Sequence, residues 1–213
     1  NGGVAGRAFG AEYRDEFYQD LYDSLSEGGV VGGSAGNSAA GGRSVGAAYA
    51  EALFPVTENF EINGAVRYDR YSDYGSDVSP KLSMRFTPIE NLVLRASYGE
   101  GFRAPTLDIL TQLESFSASA VSDPATCRAL GQPPTCNVQI DAFRIANPEL
   151  ESEQSRQWSI GAAWDATDWL NASLDIFNVE IDNRIAFFSA NTLVNREQTG
   201  RPIPPGLGVF RFA

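Results

Sequence analysis

Asn91–Leu107 reads NLVLRASYGEGFRAPTL. Its first half alternates strictly. Leu92, Leu94, Ala96 and Tyr98 take one side, and Val93, Arg95 and Ser97 the other, the period of a strand with one apolar face. The alternation stops at Gly99-Glu100-Gly101, and Arg103 and Pro105 follow. Nearly fifty residues without strand alternation come next, so 103–152 is expected to be one long irregular loop. Glycine tolerates backbone geometries closed to other residues, and Gly99 and Gly101 are expected to mark a sharp exit from the strand.

Outward from this stretch the same period recurs. Strands are expected at about 4–17, 43–56, 59–71, 79–87, 91–102, 154–165 and 168–185, with an eighth beginning near 207. Short helices are expected at DEFYQDLYDSL, where Phe17, Leu21 and Leu25 are four apart, and at PTLDILTQL, where Leu107, Leu110 and Leu113 are three apart. The connections alternate in length. FPVTENFEI, FTPIENLVL and WDATDWLNA are tight turns, each placing an acidic residue before an apolar strand start. Between them lie the long 18–42 segment, the intermediate YSDYGSD and the 103–152 excursion. In an antiparallel up-and-down meander alternate connections share one end. The expected fold is therefore all-β, with tight turns at one end and long loops at the other, as in part of a large transmembrane β-barrel. A fifty-residue loop is rare in a soluble sandwich.

The two faces of the strands differ in kind. Strand 59–71 offers Phe60, Ile62, Gly64, Val66 and Tyr68 on one side, and Glu61, Asn63, Ala65, Arg67 and Asp69 on the other. Strand 154–165 sets Trp158, Ile160, Ala162 and Trp164 against Gln157, Ser159, Gly161 and Ala163. Phe60, Tyr68, Tyr98, Trp158 and Trp164 are expected to form lipid-facing girdles, since rings with an apolar body and a polar tip suit a membrane boundary. From Phe60 to Tyr68 is about 20 Å of depth at ~3.3 Å per residue and ~40° of tilt. The opposite face, with Glu61, Arg67, Asp69, Lys81, Arg85, Arg95 and Asp175, would line a wet lumen. Alternation alone equally allows a soluble sheet packed on a second one, and a secreted β-rich carbohydrate- or ligand-binding module is the alternative reading.

The chain has 213 residues and a net charge of −11, which speaks against nucleic acid as a partner. With no histidine, Ser-His and Cys-His catalysis within the chain are excluded, and no enzyme activity and no cofactor are expected. Cys127 and Cys136 lie nine apart among Pro, Gly and Thr. A local disulfide in an oxidising compartment is expected, two free thiols being the alternative. No secretory leader is expected within these residues, and both ends read as interrupted strands. An internal piece of a longer protein is expected over a mature domain with ragged ends.

SPKLSMRFTPIENLVLRASYGEGFRAPTL and NPELESEQSRQWSIGAAWDATDWLNASLDIFNVEIDNRI resemble the barrel segment of TonB-dependent outer-membrane receptors. Ser97 to Pro105 matches the family's S-Y-G-x-G-F-R-A-P, and Asn147-Pro148-Glu149-Leu150 with Glu153 its following motif. Glu151-Ser152 stands where the family usually has a proline before the glutamate. The resemblance covers about 43–113 and 145–186. It implies a Gram-negative outer membrane, a barrel of about 22 strands, contact with the lipid bilayer, and uptake of a scarce small-molecule ligand (siderophore, cobalamin or oligosaccharide type). It also implies energising by the TonB complex through a plug that this chain does not contain, so 1–213 reads as a partial barrel domain. The polar contacts expected for the ligand are Arg103 and Asp108 at the loop base, with inward-facing Arg67, Arg85 and Arg95; pairing with neighbouring charges is the alternative role for each. Taken alone, the chain is expected to self-associate through its open edges and apolar face.

Overall fold

The computed structural model describes residues 3–31 and 38–211. The strands are β1 (Gly6–Asp20), β2 (Ala39–Thr57), β3 (Phe60–Tyr71), β4 (Gly75–Ile89), β5 (Leu92–Arg103), β6 (Ser115–Ser122), β7 (Asn137–Arg144), β8 (Glu153–Thr167) and β9 (Leu170–Asp182). Four helices join them: α1 (Ser24–Glu27), α2 (Leu107–Thr111), α3 (Pro124–Ala129) and α4 (Ala190–Gln198). The seven strands expected in the sequence form one antiparallel sheet in the order β1-β2-β3-β4-β5-β8-β9, while β6 and β7 form a separate two-stranded sheet. The chain divides into two compact units. One holds the large sheet (1–17, 41–110 and 148–185), and the other the segments 18–40, 111–147 and 186–213.

In the sheet unit, β2–β3, β4–β5 and β8–β9 are joined by two residues each: Glu58-Asn59, Glu90-Asn91 and Asp168-Trp169. A register shift precedes each turn, at Pro55/Thr57, Phe86/Ile89 and Asp165/Thr167. Such bulges add twist to a strand without releasing its partner. Successive turns are stitched together, since Thr87 N donates to Asn59 O (2.8 Å) and Asp165 N to Asn91 O (2.9 Å). At the opposite end Ser72-Asp73-Tyr74 joins β3 to β4, with Gly75 in a left-handed conformation at φ 131°. This connection is thus shorter than YSDYGSD implied.

Register places the apolar residues in continuous rows across the sheet. Phe54, Ile62, Met84, Ala96, Ile160 and Ile176 face one another in turn, and so do Phe60, Phe86, Leu94, Ala162 and Leu174. These side chains are exposed or half-buried: Ile160 is 59% accessible and Leu174 67%. A soluble sandwich would bury them, and this face is instead open. The upper aromatics do not share a row. Tyr68 faces Val78, whereas Tyr98 faces Leu82, four residues along β4, and Trp158 faces Tyr98. The offset of four residues, ~13 Å, falls across the two strand spacings from β3 to β5, ~10 Å, so the line of rings runs obliquely to the hydrogen-bond rows.

Several expectations are corrected. The helix expected in 15–25 gives way to β1, which runs to Asp20, because pairing with β2 outweighs a local four-residue spacing; only Ser24–Glu27 is helical, capped by the Asp23 carboxylate accepting from Leu25 N and Ser26 N. Gly99 and Gly101 do not turn the chain. They lie inside β5, paired with Gln157 and Ser155, and the strand ends at Arg103. The 103–152 segment is not irregular throughout, since it holds the β6–β7 hairpin, α2 and α3. No strand forms from 207 among the described residues. Pro202, Pro204 and Pro205 precede that stretch, and the last regular element before it is α4, which ends at Gln198. Of the expected loop 18–42, residues 32–37 lie outside the described residues, and the ordered strands narrow it to 21–38.

Candidate functional site

Alternation sends every second residue of β1–β5, β8 and β9 to the polar face, where long side chains from neighbouring strands meet in ion pairs. At the Tyr71 end, Arg14 bonds Glu12 (2.7 Å) and Glu16 (2.8 Å), and Arg67 bonds Glu12 and nearly buried Asp69. Arg43 reaches Glu16 (2.6 Å), Asp73 (3.4 Å) and the carbonyl of Pro105 (2.7 Å), with its guanidinium 4.9 Å from the Tyr71 ring centre. Tyr71 stacks against Tyr74 and meets Phe102 edge-on. Asp77 accepts from Tyr74 Oη (2.8 Å), Ser152 Oγ (2.9 Å) and Gln154 Nε2 (2.5 Å). In the turn outside the strands, burial and then the Asp77 carboxylate hold the Tyr74 hydroxyl well above the ordinary phenol range.

This cluster holds the root of the long excursion at both ends. The chain leaves β5 at Arg103, which pairs with Glu153, the first residue of β8. Glu153 is 7% accessible and also accepts from Ile185 N (2.7 Å), so one carboxylate ties the departure of 104–152 to the chain leaving β9. Between them, Asn183 adopts the left-handed conformation (φ 53°) that asparagine tolerates. Further along the polar face, Arg95 holds Asp175 through two bonds (2.9 and 2.5 Å) directly over Gly161, where a Cβ would strike the Asp175 carboxylate. Ser97 and Ser159 bond each other, Asn63 donates to Glu51, and Arg85 lies 3.9 Å from Glu61.

The second unit is built around its own small core of Val121, Cys127, Val138 and Val194, with Cys136, Ile140, Ala190 and Val209 against it. The disulfide joins Cys127 of α3 to Cys136, one residue before β7. Asp123 caps α3, accepting from Ala125 N and Thr126 Oγ1, and pairs with Arg211 (2.9 Å). Arg211 above all, with these donors, holds its carboxyl well below the usual carboxylate range. Phe116 and Phe143 stack across the hairpin, and Arg144 lies over Phe187 at 4.1 Å.

All the arginines named from the sequence have a carboxylate within reach. Arg103 meets Glu153, Arg67 meets Asp69 and Glu12, Arg95 meets Asp175, and Arg85 meets Glu61. Arg67, Arg85 and Arg95 share the polar face, and Arg103 stands at the loop root. Asp108 sits half-buried in the first turn of α2. Phe60, Tyr68, Tyr98, Trp158 and Trp164 share the apolar face; Tyr68, Tyr98, Trp158 and Trp164 are exposed and Phe60 half-buried. Sequence reasoning missed Arg43, Glu153, Asp123 and Arg211 as organising residues. Glu153 lay inside a recognised motif, while the ion pairs Arg43–Glu16 and Arg211–Asp123 carry no local signal because their partners lie 27 and 88 residues apart.

An antiparallel meander with one apolar face, one ion-paired face, tight turns at one end and an elaborated excursion at the other defines a segment of a large membrane β-barrel. The sequence matches the family described as TonB dependent receptor-like, beta-barrel over residues 1–201, and the chain belongs to that family. Solved structures with the same fold include the siderophore receptor PirA from Acinetobacter baumannii (20% identity, TM-score 0.63) and a mutant of the ferric enterobactin receptor PfeA from Pseudomonas aeruginosa (20%, 0.63). PirA from Pseudomonas aeruginosa is similar at 21% identity and a TM-score of 0.56. In each, 83% of this chain is covered, against 24%, 24% and 29% of the respective receptors, so the chain spans about a quarter of their length. No curated protein matches the sequence.

Proposed function

We propose that this chain is a wall segment of a TonB-dependent outer-membrane receptor of a Gram-negative bacterium, not an enzyme. Its excursions, within 18–42 and 103–152, face outward and capture a scarce ligand of siderophore, cobalamin or oligosaccharide type. Uptake is energised by the TonB complex acting through a plug outside this chain. Family membership supports the class of receptor. The observation that carries the role of the excursions is the asymmetry of the sheet: three two-residue turns at one end, and at the other a 49-residue connection with its own strands, helices and disulfide. Barrels of this kind place short turns on the periplasmic side and long loops outside. Arg103 and Asp108 at the loop base, and Arg67, Arg85 and Arg95 on the polar face, are the proposed polar contacts for the ligand. Each arginine would exchange a carboxylate partner for a ligand group.

Deleting 106–146 from the intact receptor tests this. The deletion is expected to leave a barrel in the outer membrane and to abolish binding of whichever member of a panel (a ferric catecholate, a ferric hydroxamate, cobalamin, a maltooligosaccharide) the parent binds. Unchanged binding of that probe defeats the capture role.

A further inference from the structure

The small core of the second unit draws on two parts of the chain. Val121, Cys127, Cys136, Val138 and Ile140 come from the segment between β5 and β8; Ala190, Val194 and Val209 come from the chain beyond β9. Val121, Cys127 and Val194 are at most 2% accessible, so neither segment buries this core by itself. The polar bonds follow the same division. The free edge of β6 is capped from α4, where Asn191 accepts from Ser122 N (3.3 Å) and donates to Ala120 O (3.4 Å) as a neighbouring strand would. Gln198 adds bonds to Ser122 O and Asp123. Arg211 pairs with buried Asp123 and, through both its terminal nitrogens, with Glu197. Asp123 is the cap of α3, and α3 carries the disulfide, so Arg211 is linked through one carboxylate to the disulfide-bearing helix of the earlier excursion.

We propose that the ligand-capturing body is composite. The segments 111–147 and 186–211 fold as one body, and Arg211 is the positioning residue that holds them together. This rests on the capture role proposed above and adds that residues 88 positions apart in sequence control the same binding step. Removing Arg211 leaves the Asp123 carboxylate buried without its charge partner, and α3 then loses its cap as the carboxylate turns toward water.

The test uses the intact receptor in outer-membrane vesicles, parent against Arg211→Ala, Val194→Asp and Arg211→Lys. Two readouts are taken: the rate of tryptic cleavage after exposed Arg128, followed by mass spectrometry on reduced samples, and the Kd and maximal uptake of the panel probe that the parent binds. Arg211→Ala is expected to speed cleavage after Arg128 at least about tenfold, the worth of one charge-assisted hydrogen bond, and Val194→Asp, which places a carboxylate in the buried core, by at least as much. They should raise Kd by a similar factor while maximal uptake stays at the parental level, and Arg211→Lys should lie between parent and Arg211→Ala in both. Parental cleavage rates in Arg211→Ala and Val194→Asp overturn the composite body. Faster cleavage with an unchanged Kd overturns its part in capture. A parent that binds no probe counts against the receptor reading, and the cleavage arm still decides whether the two segments are one body.

Discussion

Asp123 shows how much one carboxylate can organise. It is 3% accessible, caps a helix and holds Arg211, and these donors keep it ionised at a lower pH than an unfolded aspartate. Because its folded value is depressed, the stabilisation it provides is complete above the unfolded aspartate value of about 3.9 and is lost as pH falls through the folded one. Amide hydrogen exchange in α3, taken relative to the intrinsic rate at each pH, is therefore expected to be constant from neutrality to about pH 5 and to accelerate below about pH 4. In Asp123→Asn this acid-dependent acceleration should be absent, and exchange should be fast throughout. The ion pair was not legible locally. DPATC announces a capped helix start, but the partner Arg211 lies in a proline-bounded tail that the sequence suggested as a strand. The polar-face arginines were legible as inward charges because alternation fixes their side. Their partners were not, since register is a non-local property: Arg95 finds Asp175 only because β5, β8 and β9 align at Gly161.

At the scale of the element, strand faces decide where a charge is tolerated. Leu82 and Ile160 lie on the exposed apolar face; Ser83 and Ser159 are their sequence neighbours on the polar one. Arginine at Ile160, in the middle of that face, is expected to destabilise the intact receptor in bilayers by about 2–4 kcal/mol, at Leu82, beside Tyr98, by less, and at Ser159 by much less, measured as chemical denaturation midpoints. Equal effects at Ile160 and Ser159 would remove the lipid from that face. The large-sheet strands were readable because apolar and polar residues contrast at every second position. The β6–β7 hairpin was not, because SFSASAVS alternates serine with small residues and offers little contrast. The helix suggested at 15–25 failed for a related reason. A four-residue spacing of Phe17, Leu21 and Leu25 is weak beside a full ladder of bonds to β2.

On the scale of the whole molecule, the large sheet among the described residues ends at β1 and β9 and has a broad face of accessible aliphatic and aromatic side chains. Removed from lipid or detergent, the chain is expected to self-associate by adding strands at those ends or by covering that face, giving concentration-dependent sedimentation. A single monomeric boundary at high concentration would contradict it. The slanted line of ring side chains carries a different message. Trp158 and Asn178 sit side by side in register, yet one is a large indole and the other a polar amide. If the hydrocarbon boundary cuts the hydrogen-bond rows like a waterline across a listing hull, the two are immediate neighbours at different depths, one at the shore and the next already above it. Hydropathy along any single row of this wall is then a sounding of the bilayer taken on a diagonal.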